Sequence, residues 1–271
     1  MLIRLGYTLE YTFTQPTPVI LTLTIHHSRS ADLLEPDVLQ TEPAVPLRAY
    51  HDGFGNWCTR LVAPAGKFRI WSNALITDSG VADVVAPAAR QLPVDELPDD
   101  VLVYLLGSRY CETDLLSEVA WKRFEHTASG WQRVQAVCDF VNQHIEFGYA
   151  YASPTKTAFG VYSERRGVCR DYAHLAITLC RCLNIPARYC TGYLGDIGIA
   201  PVDAPMDFAG WFEAYLDGAW YTFDARNNVP RIGRVLIARG RDAADVAIDT
   251  TFGPNTLDAF SVCAVEAAAS P

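Results

Sequence analysis

Cys169 stands in Arg165-Arg166-Gly167-Val168-Cys169-Arg170-Asp171-Tyr172-Ala173-His174, where a glycine-led turn runs into an amphipathic helical pattern. A thiol placed there can do nucleophilic chemistry. The helix start presents unpaired backbone N–H groups and a partial positive charge, and both favour thiolate over thiol. An ordinary thiol, with a pKa near ~8.5, is only a few per cent ionised at neutral pH, and a helix start can lower that pKa by about one unit or more. The same N–H groups suit a developing oxyanion, and Gly167 supplies a permissive backbone for the approach. A nucleophile also needs a base, and the base needs an orienting group. The plain alternative is a small buried hydrophobe, which is what most free cysteines are. Local context leaves both readings open.

The remaining cysteines are Cys58, Cys111, Cys138, Cys180, Cys182, Cys190 and Cys263, and no CxxC pair occurs. Cys180, Cys182 and Cys190 cluster, but residues two apart on a helix point about 200° away from each other, so 180 and 182 cannot share an ion. No metal and no cofactor is expected. A chain of 271 residues has its own core, and it shows no secretion signal, so reduced and mostly buried thiols are expected rather than four disulfides.

The elements that must position Cys169 fall into two parts. Residues 1–85 read as all-β: Tyr7, Leu9, Tyr11 and Phe13 alternate with Thr8, Glu10 and Thr12, and 19–25 continues the style after Pro16 and Pro18. Asp52-Gly53-Phe54-Gly55-Asn56 is a tight turn, followed by strands at 57–62 and 68–76. An N-terminal β-sandwich accounts for this segment. Residues 86–100, rich in Pro, Ala and Asp, read as a linker. In 101–271 a short apolar piece at 101–106 precedes a helix carrying Trp131, Val134, Val137, Cys138, Val141 and Ile145 at three- and four-residue steps. A second helix starts at Cys169 and buries Ala173, Ala176, Leu179, Cys180 and Leu183. Asn184 ends it, and Ile185-Pro186 cannot extend it. Strands follow at 187–194, 211–216 and 219–223, the last two joined by the hairpin signal Asp217-Gly218, with another at 231–237 and a frayed tail at 264–271. Helices followed by antiparallel strands predict an α+β domain.

Composition narrows the function class. With 50% apolar and 20% charged residues the chain is globular rather than disordered. A net charge of −9 with no offsetting basic run argues against a nucleic-acid partner. No stretch approaches the ~20 apolar residues of a membrane span, and the start has no h-region or cleavage site. A cytoplasmic protein without a membrane partner is expected.

Three blocks resemble the bacterial transglutaminase-like superfamily, whose members include transglutaminases, peptide N-glycanases and candidate cysteine proteases. The first runs from Gly167-Val168-Cys169-Arg170-Asp171-Tyr172-Ala173-His174-Leu175 to Leu183-Asn184-Ile185-Pro186-Ala187-Arg188-Tyr189. The second is Trp211-Phe212-Glu213-Ala214-Tyr215-Leu216, and the third is Trp220-Tyr221-Thr222-Phe223-Asp224. The β-rich segment with the Asp52–Asn56 turn is similar to the N-terminal region of bacterial members. The resemblance implies a papain-like α+β core and a thiol hydrolase or acyltransferase, leaning to a cysteine protease acting on protein or peptide. It places Cys169 on the nucleophile and Asp224 on the carboxylate that orients the catalytic imidazole. The calcium dependence of some animal relatives has no acidic loop signature here.

The imidazole itself is expected two residues before Trp211, and that position is Ala209 in Asp207-Phe208-Ala209-Gly210-Trp211. Strand alternation puts 209, 211, 213 and 215 on one face, so a one-residue slip brings in no substitute. His174 is five residues past Cys169, about 140° round the helix and ~7.5 Å along it, and so points away. His144 on the preceding helix and His51 beside the β-domain turn reach the thiol only through a tertiary contact. Trp211, Glu213 and Asn227 are candidate lining residues, Asn227 without base character at neutral pH. Three readings follow. One is an acyl-transfer enzyme working through a Cys169 thioester; the second is a catalytically impaired binding module that keeps the cleft and lacks the base; the third places His51, His144 or His174 as a displaced base.

Overall fold

Strict alternation opens the fold. The first strand, β1 (Leu2–Phe13), turns Ile3, Leu5, Tyr7, Leu9, Tyr11 and Phe13 inward, each at most 4% exposed, the period-two pattern of a strand buried on one face. The computed structural model describes residues 1–202 and 205–267. After β1 come β2 (Thr17–Leu21), β3 (Leu33–Glu35), β4 (Gln40–Glu42), β5 (Arg48–His51), β6 (Trp57–Ala63) and β7 (Gly66–Thr77). The helical part holds α1 (Thr113–Phe124), α2 (Trp131–His144), β8 (Glu146–Phe147), α3 (Ala158–Glu164), β9 (Arg166–Gly167) and α4 (Cys169–Cys182). Then follow β10 (Ala187–Leu194), β11 (Ala209–Leu216), β12 (Ala219–Phe223), β13 (Arg234–Gly240), β14 (Asp249–Thr251) and β15 (Asn255–Ala267). The chain is α+β, with helices on the antiparallel sheet β12-β11-β10-β13 and further antiparallel sheets built on the N-terminal strands. Among the described residues no helix is long and apolar enough to cross a membrane.

Both N-terminal sheets take a strand from the far end of the chain. Their orders are β15-β1-β7-β3, with β4 also on β7, and β14-β2-β6-β5. The expected frayed tail is therefore corrected: residues up to Ala267 run along β1, Leu2 opposite Ala267 and Phe13 opposite Asn255, because pairing supplies partners that the local pattern does not reveal. Residues 268–271 of that tail lie outside the described residues. The stretch 86–100 is strapped to the helical part, with Trp131 N–H donating to Ala89 O (3.0 Å) and Gln91 Nε2 donating to Leu183 O (2.9 Å).

The central helix α4 is buried nearly all round, from Asp171 to Cys182, its polar Asp171, His174, Thr178 and Arg181 included, because other elements enclose it on every side. At its start Asp171 Oδ2 accepts the Val168 N–H at 3.0 Å. A Cβ on Gly167 would lie 2.6 Å from that oxygen, so glycine is needed there for close approach. The helix ends in a Schellman motif: Asn184 is left-handed (φ 61°), Ile185 N–H donates to Cys180 O, and Asn184 N–H to Arg181 O. The β11–β12 turn has positive φ at Asp217 (48°) and Gly218 (84°), the type I′ geometry its sequence predicts. The strand expected at 231–237 forms later, as β13, because Arg231 is held in the preceding loop by its own hydrogen bonds to Asn227 and Gly195.

His26 joins the two parts and should make stability pH-dependent. It is 0% exposed, its backbone N–H donates to Leu236 O (2.9 Å), its Nδ1 accepts from Ser28 N–H (3.2 Å) and its Nε2 has no partner among the described residues. Burial above all, then the nearby Arg239, lowers its pKa to about 4. Above the ordinary histidine value both folded and unfolded chains are neutral here. As pH falls from about 6.5 towards 4 the unfolded chain binds a proton that the folded one refuses, so stability is lost across that window. Urea unfolding at pH 7 and pH 5 should show the wild type losing about 2 kcal/mol more than His26→Asn. Parallel losses in the two proteins would remove His26 as the cause.

Candidate functional site

Cys169 is the first residue of α4, and β11 crosses over it. The crossing is close: a Cβ on Gly210 would sit 2.5 Å from the Tyr189 hydroxyl and 3.4 Å from the Arg170 backbone. Glycine at 210 lets the strand come down far enough for its own N–H to face the Cys169 sulfur and favour the thiolate. The residue is partly exposed, yet its sulfur lies under enough protein that burial raises the thiol pKa. The Gly210 N–H opposes that rise, and the charge of Asp207 adds to it. The expected depressed thiol is therefore corrected. A helix start favours thiolate locally, but desolvation is a tertiary effect and wins here.

The sulfur lies on the wall of two cavities. One, of about 170 Å³, is lined by Cys169, Tyr149, Asp207, Ala209, Asn227 and Arg231, among others. The other, about 440 Å³ and more apolar, shares Cys169, Tyr149, Asp207 and Phe208 with the first. Its far wall comes from Leu9 and Tyr11 of β1 and Leu257 and Phe260 of β15. The N-terminal sheet is thus part of the site.

Ala209 lies on the smaller cavity with the thiol, and no imidazole lines either cavity among the described residues. Asp224 is 8% exposed and lines neither. All its acceptor capacity is used. Oδ1 takes the N–H groups of Arg226 (3.1 Å) and Asn227 (2.9 Å), and Oδ2 takes Asn227 Nδ2 (2.7 Å) and Arg234 (2.7 Å). Burial pushes its pKa up, but the Arg234 charge and these donors outweigh that and hold it below the usual range. Arg234 in turn bonds Asp83 at 2.8 Å and packs over Trp211. The group between thiol and carboxylate is Asn227. It lines the cavity of Cys169, donates to Asp224 and accepts from Arg231 at 3.2 Å.

The other sequence candidates lie away from both cavities. Trp211 is 3% exposed beneath Arg234, and Glu213 is ion-paired with Arg188 at 2.6 Å; edge packing and a charge partner, not the thiol, fix them. His174 is 0% exposed, accepts the Ala243 N–H (3.1 Å) and stacks on Tyr110, and burial lowers its pKa well below the usual value. His144 Nε2 pairs with Tyr162 O at 2.7 Å, and His51 packs on Trp57 beside its turn. Packing holds these three rings away from the sulfur as bases. Asp207, Tyr149, Arg226 and Arg231 line the site without having been singled out in the sequence. The only signal for Asp207 was its place two residues before Ala209. Among the described residues no group of three or more His, Cys, Asp or Glu could hold a metal ion.

Comparisons with known proteins agree with this architecture. Residues 120–225 match the model of the transglutaminase-like superfamily, a span that includes Cys169, Ala209 and Asp224. An uncharacterized protein of Mycobacterium leprae is 25% identical over 218 residues, 77% of each chain. The crystal structure of a candidate cysteine protease from Cytophaga hutchinsonii superposes with a TM-score of 0.84 at 30% identity, covering 100% of this chain and 93% of that one.

Proposed function

Because the chain belongs to the transglutaminase-like superfamily, we propose that it is a thiol acyl-transfer enzyme of papain-like core, hydrolysing peptide or amide bonds through a thioester at Cys169. The observation that carries this reading is the placement of the sulfur: first residue of α4, under the Gly210 N–H, on the wall shared by two cavities. The likeness to a protein described as a candidate cysteine protease supports hydrolysis over transamidation. In this reaction Cys169 Sγ attacks the carbonyl carbon and loses its proton. The amine leaves with a proton, and water then releases the acid and restores the thiol. The unpaired N–H groups at the start of α4 suit an oxyanion developing beside the sulfur. Without imidazole assistance, typically worth ~10²–10⁴ in rate, turnover is expected to be slow.

A second reading has its own observation. Asp224 is saturated by Arg234, Asn227 and two backbone N–H groups, which suits a scaffold that keeps the cleft as a binding module. Chromogenic peptide amides followed over hours separate the two. The enzyme reading expects slow amine release by wild type, acyl adduct at Cys169 by intact mass, and neither in Cys169→Ala. Equal background from wild type and Cys169→Ala would leave only the binding module.

A further inference from the structure

The two cavities share little of their lining, yet Cys169 and Asp207 line both. An acyl group bound in either cavity shares its walls with this carboxylate. The cationic groups in these walls are already engaged. Arg170 pairs with Asp171, Arg226 lies over Phe147, and Arg231 donates to Asn227 and to Gly195 O. Of the other carboxylates, Asp196, which accepts the Val202 N–H, lines only the first cavity, and Asp249 lines only the second. Asp207 accepts only the N–H of its own neighbour Phe208, through Oδ1 at 2.7 Å, and forms no ion pair among the described residues. Among the described residues its second oxygen has no hydrogen-bond partner.

We propose that Asp207 is the proton acceptor for the Cys169 thiol, a carboxylate general base in the place of the absent imidazole. The proposal rests on the reading of Cys169 as nucleophile. Burial raises the pKa of the thiol, which keeps Cys169 protonated near neutrality, and burial also raises that of Asp207; base assistance requires the pair to stand as thiol and carboxylate. A carboxylate cannot stabilise a neighbouring thiolate as an imidazolium does; it repels it. The sulfur therefore ionises only as its bond to carbon forms. In that step Sγ bonds the carbonyl carbon and its proton passes to the free Asp207 oxygen. The carboxyl then gives that proton to the departing amine. In deacylation Asp207 takes a proton from the attacking water, the acid forms, and the proton returns to sulfur.

The test is the pH dependence of Cys169 alkylation by iodoacetamide, read by site-resolved mass spectrometry from pH 4.5 to 10, which needs no turnover. Tyr149, the neighbouring phenol, has its pKa raised above its ordinary value by burial and by Asp207, which leaves the acid range clear of it. Wild type should show a shelf of reactivity below the thiol's own ionisation. Asp207→Asn, which keeps the Phe208 acceptor, should lose the shelf, slowing alkylation at pH 6 by at least ~10-fold, while its thiol ionises at lower pH because the neighbouring charge is gone. Asp207→Glu should keep the shelf. Identical wild-type and Asp207→Asn profiles overturn the proposal, as does faster alkylation of Asp207→Asn at every pH, which would make Asp207 a repelling charge and nothing more. Loss of the shelf without any wild-type amide turnover removes the hydrolase reading alone. Turnover unchanged in Asp207→Asn removes the base and leaves the hydrolase.

Discussion

Asp224→Ala is expected to destabilise the fold by about 3 kcal/mol, the lower end of what breaking a buried ion pair costs. Arg234 has a side chain only 7% exposed and sits between Asp224 and Asp83, its NH1 already without a partner among the described residues. Removing Asp224 leaves that charge with Asp83 alone and strips the acceptor from the Arg226 and Asn227 N–H groups. Each buried donor left unsatisfied adds about 1–3 kcal/mol, less where water enters. The surviving Asp83 contact keeps the total near the lower figure. Thiol chemistry should respond differently, because Asp224 lines neither cavity of Cys169. Asp224→Asn should alter Cys169 alkylation less than threefold or so, well short of the ~10²–10⁴ lost with a working base. Urea midpoints for Asp224→Ala and alkylation rates for Asp224→Asn together decide the matter. A stability change under ~1 kcal/mol with a large loss of thiol reactivity would assign Asp224 to the chemistry and not to the Arg234 cluster.

How much of this was legible in the sequence depends on how far each feature reaches along the chain. The start of α4 at Cys169, its end at Asn184, the strand Ala187–Leu194 and the Asp217-Gly218 hairpin were all readable, because a turn residue and a run of alternating or helical apolar positions specify each locally. Helix α1 was missed although Leu116, Ala120 and Phe124 recur every four residues; exposed Leu115 and Trp121 blur that stripe. Seven-residue α3 is too short to show a period. Strand β15 was unreadable for another reason: its apolar residues are mostly exposed, and its definition comes from pairing with β1 at the opposite end of the chain. The site divides in the same way. The place of the nucleophile is local to one helix start. What surrounds it is not: Leu9 and Tyr11 come from β1, Asn227 follows β12, and Asp207 comes from the loop before β11. The raised thiol pKa belongs with these, since burial is decided by everything packed on the sulfur.

Ala209→His should raise Cys169-dependent turnover about 10²-fold at pH 7, the low end of the ~10²–10⁴ that a general base supplies. Position 209 is on the thiol's own cavity and on a regular strand, so an imidazole there enters the space beside the sulfur. The gain is held down because Asp224 has no acceptor left to orient the ring. Asn227 Oδ1, now bonded to Arg231, lines the same cavity and is an acceptor able to replace it. A new limb should appear in the pH profile in the histidine range, near ~6.5, with Arg226 and Arg231 pulling it down and Asp207 pulling it up. Ala209→Asn, with comparable bulk and no base, is the control. An Ala209→His protein no faster than this control, and without the new limb, would show that 209 does not reach the thiol. The same substitution joins the two halves of the argument. If Asp207 carries the proton, Ala209→His should restore reactivity to Asp207→Asn and shift its pH dependence from the carboxylate range to the imidazole range. Nothing should be restored if Asp207 only shapes the cavity, because an imidazole returns a proton acceptor and not a wall.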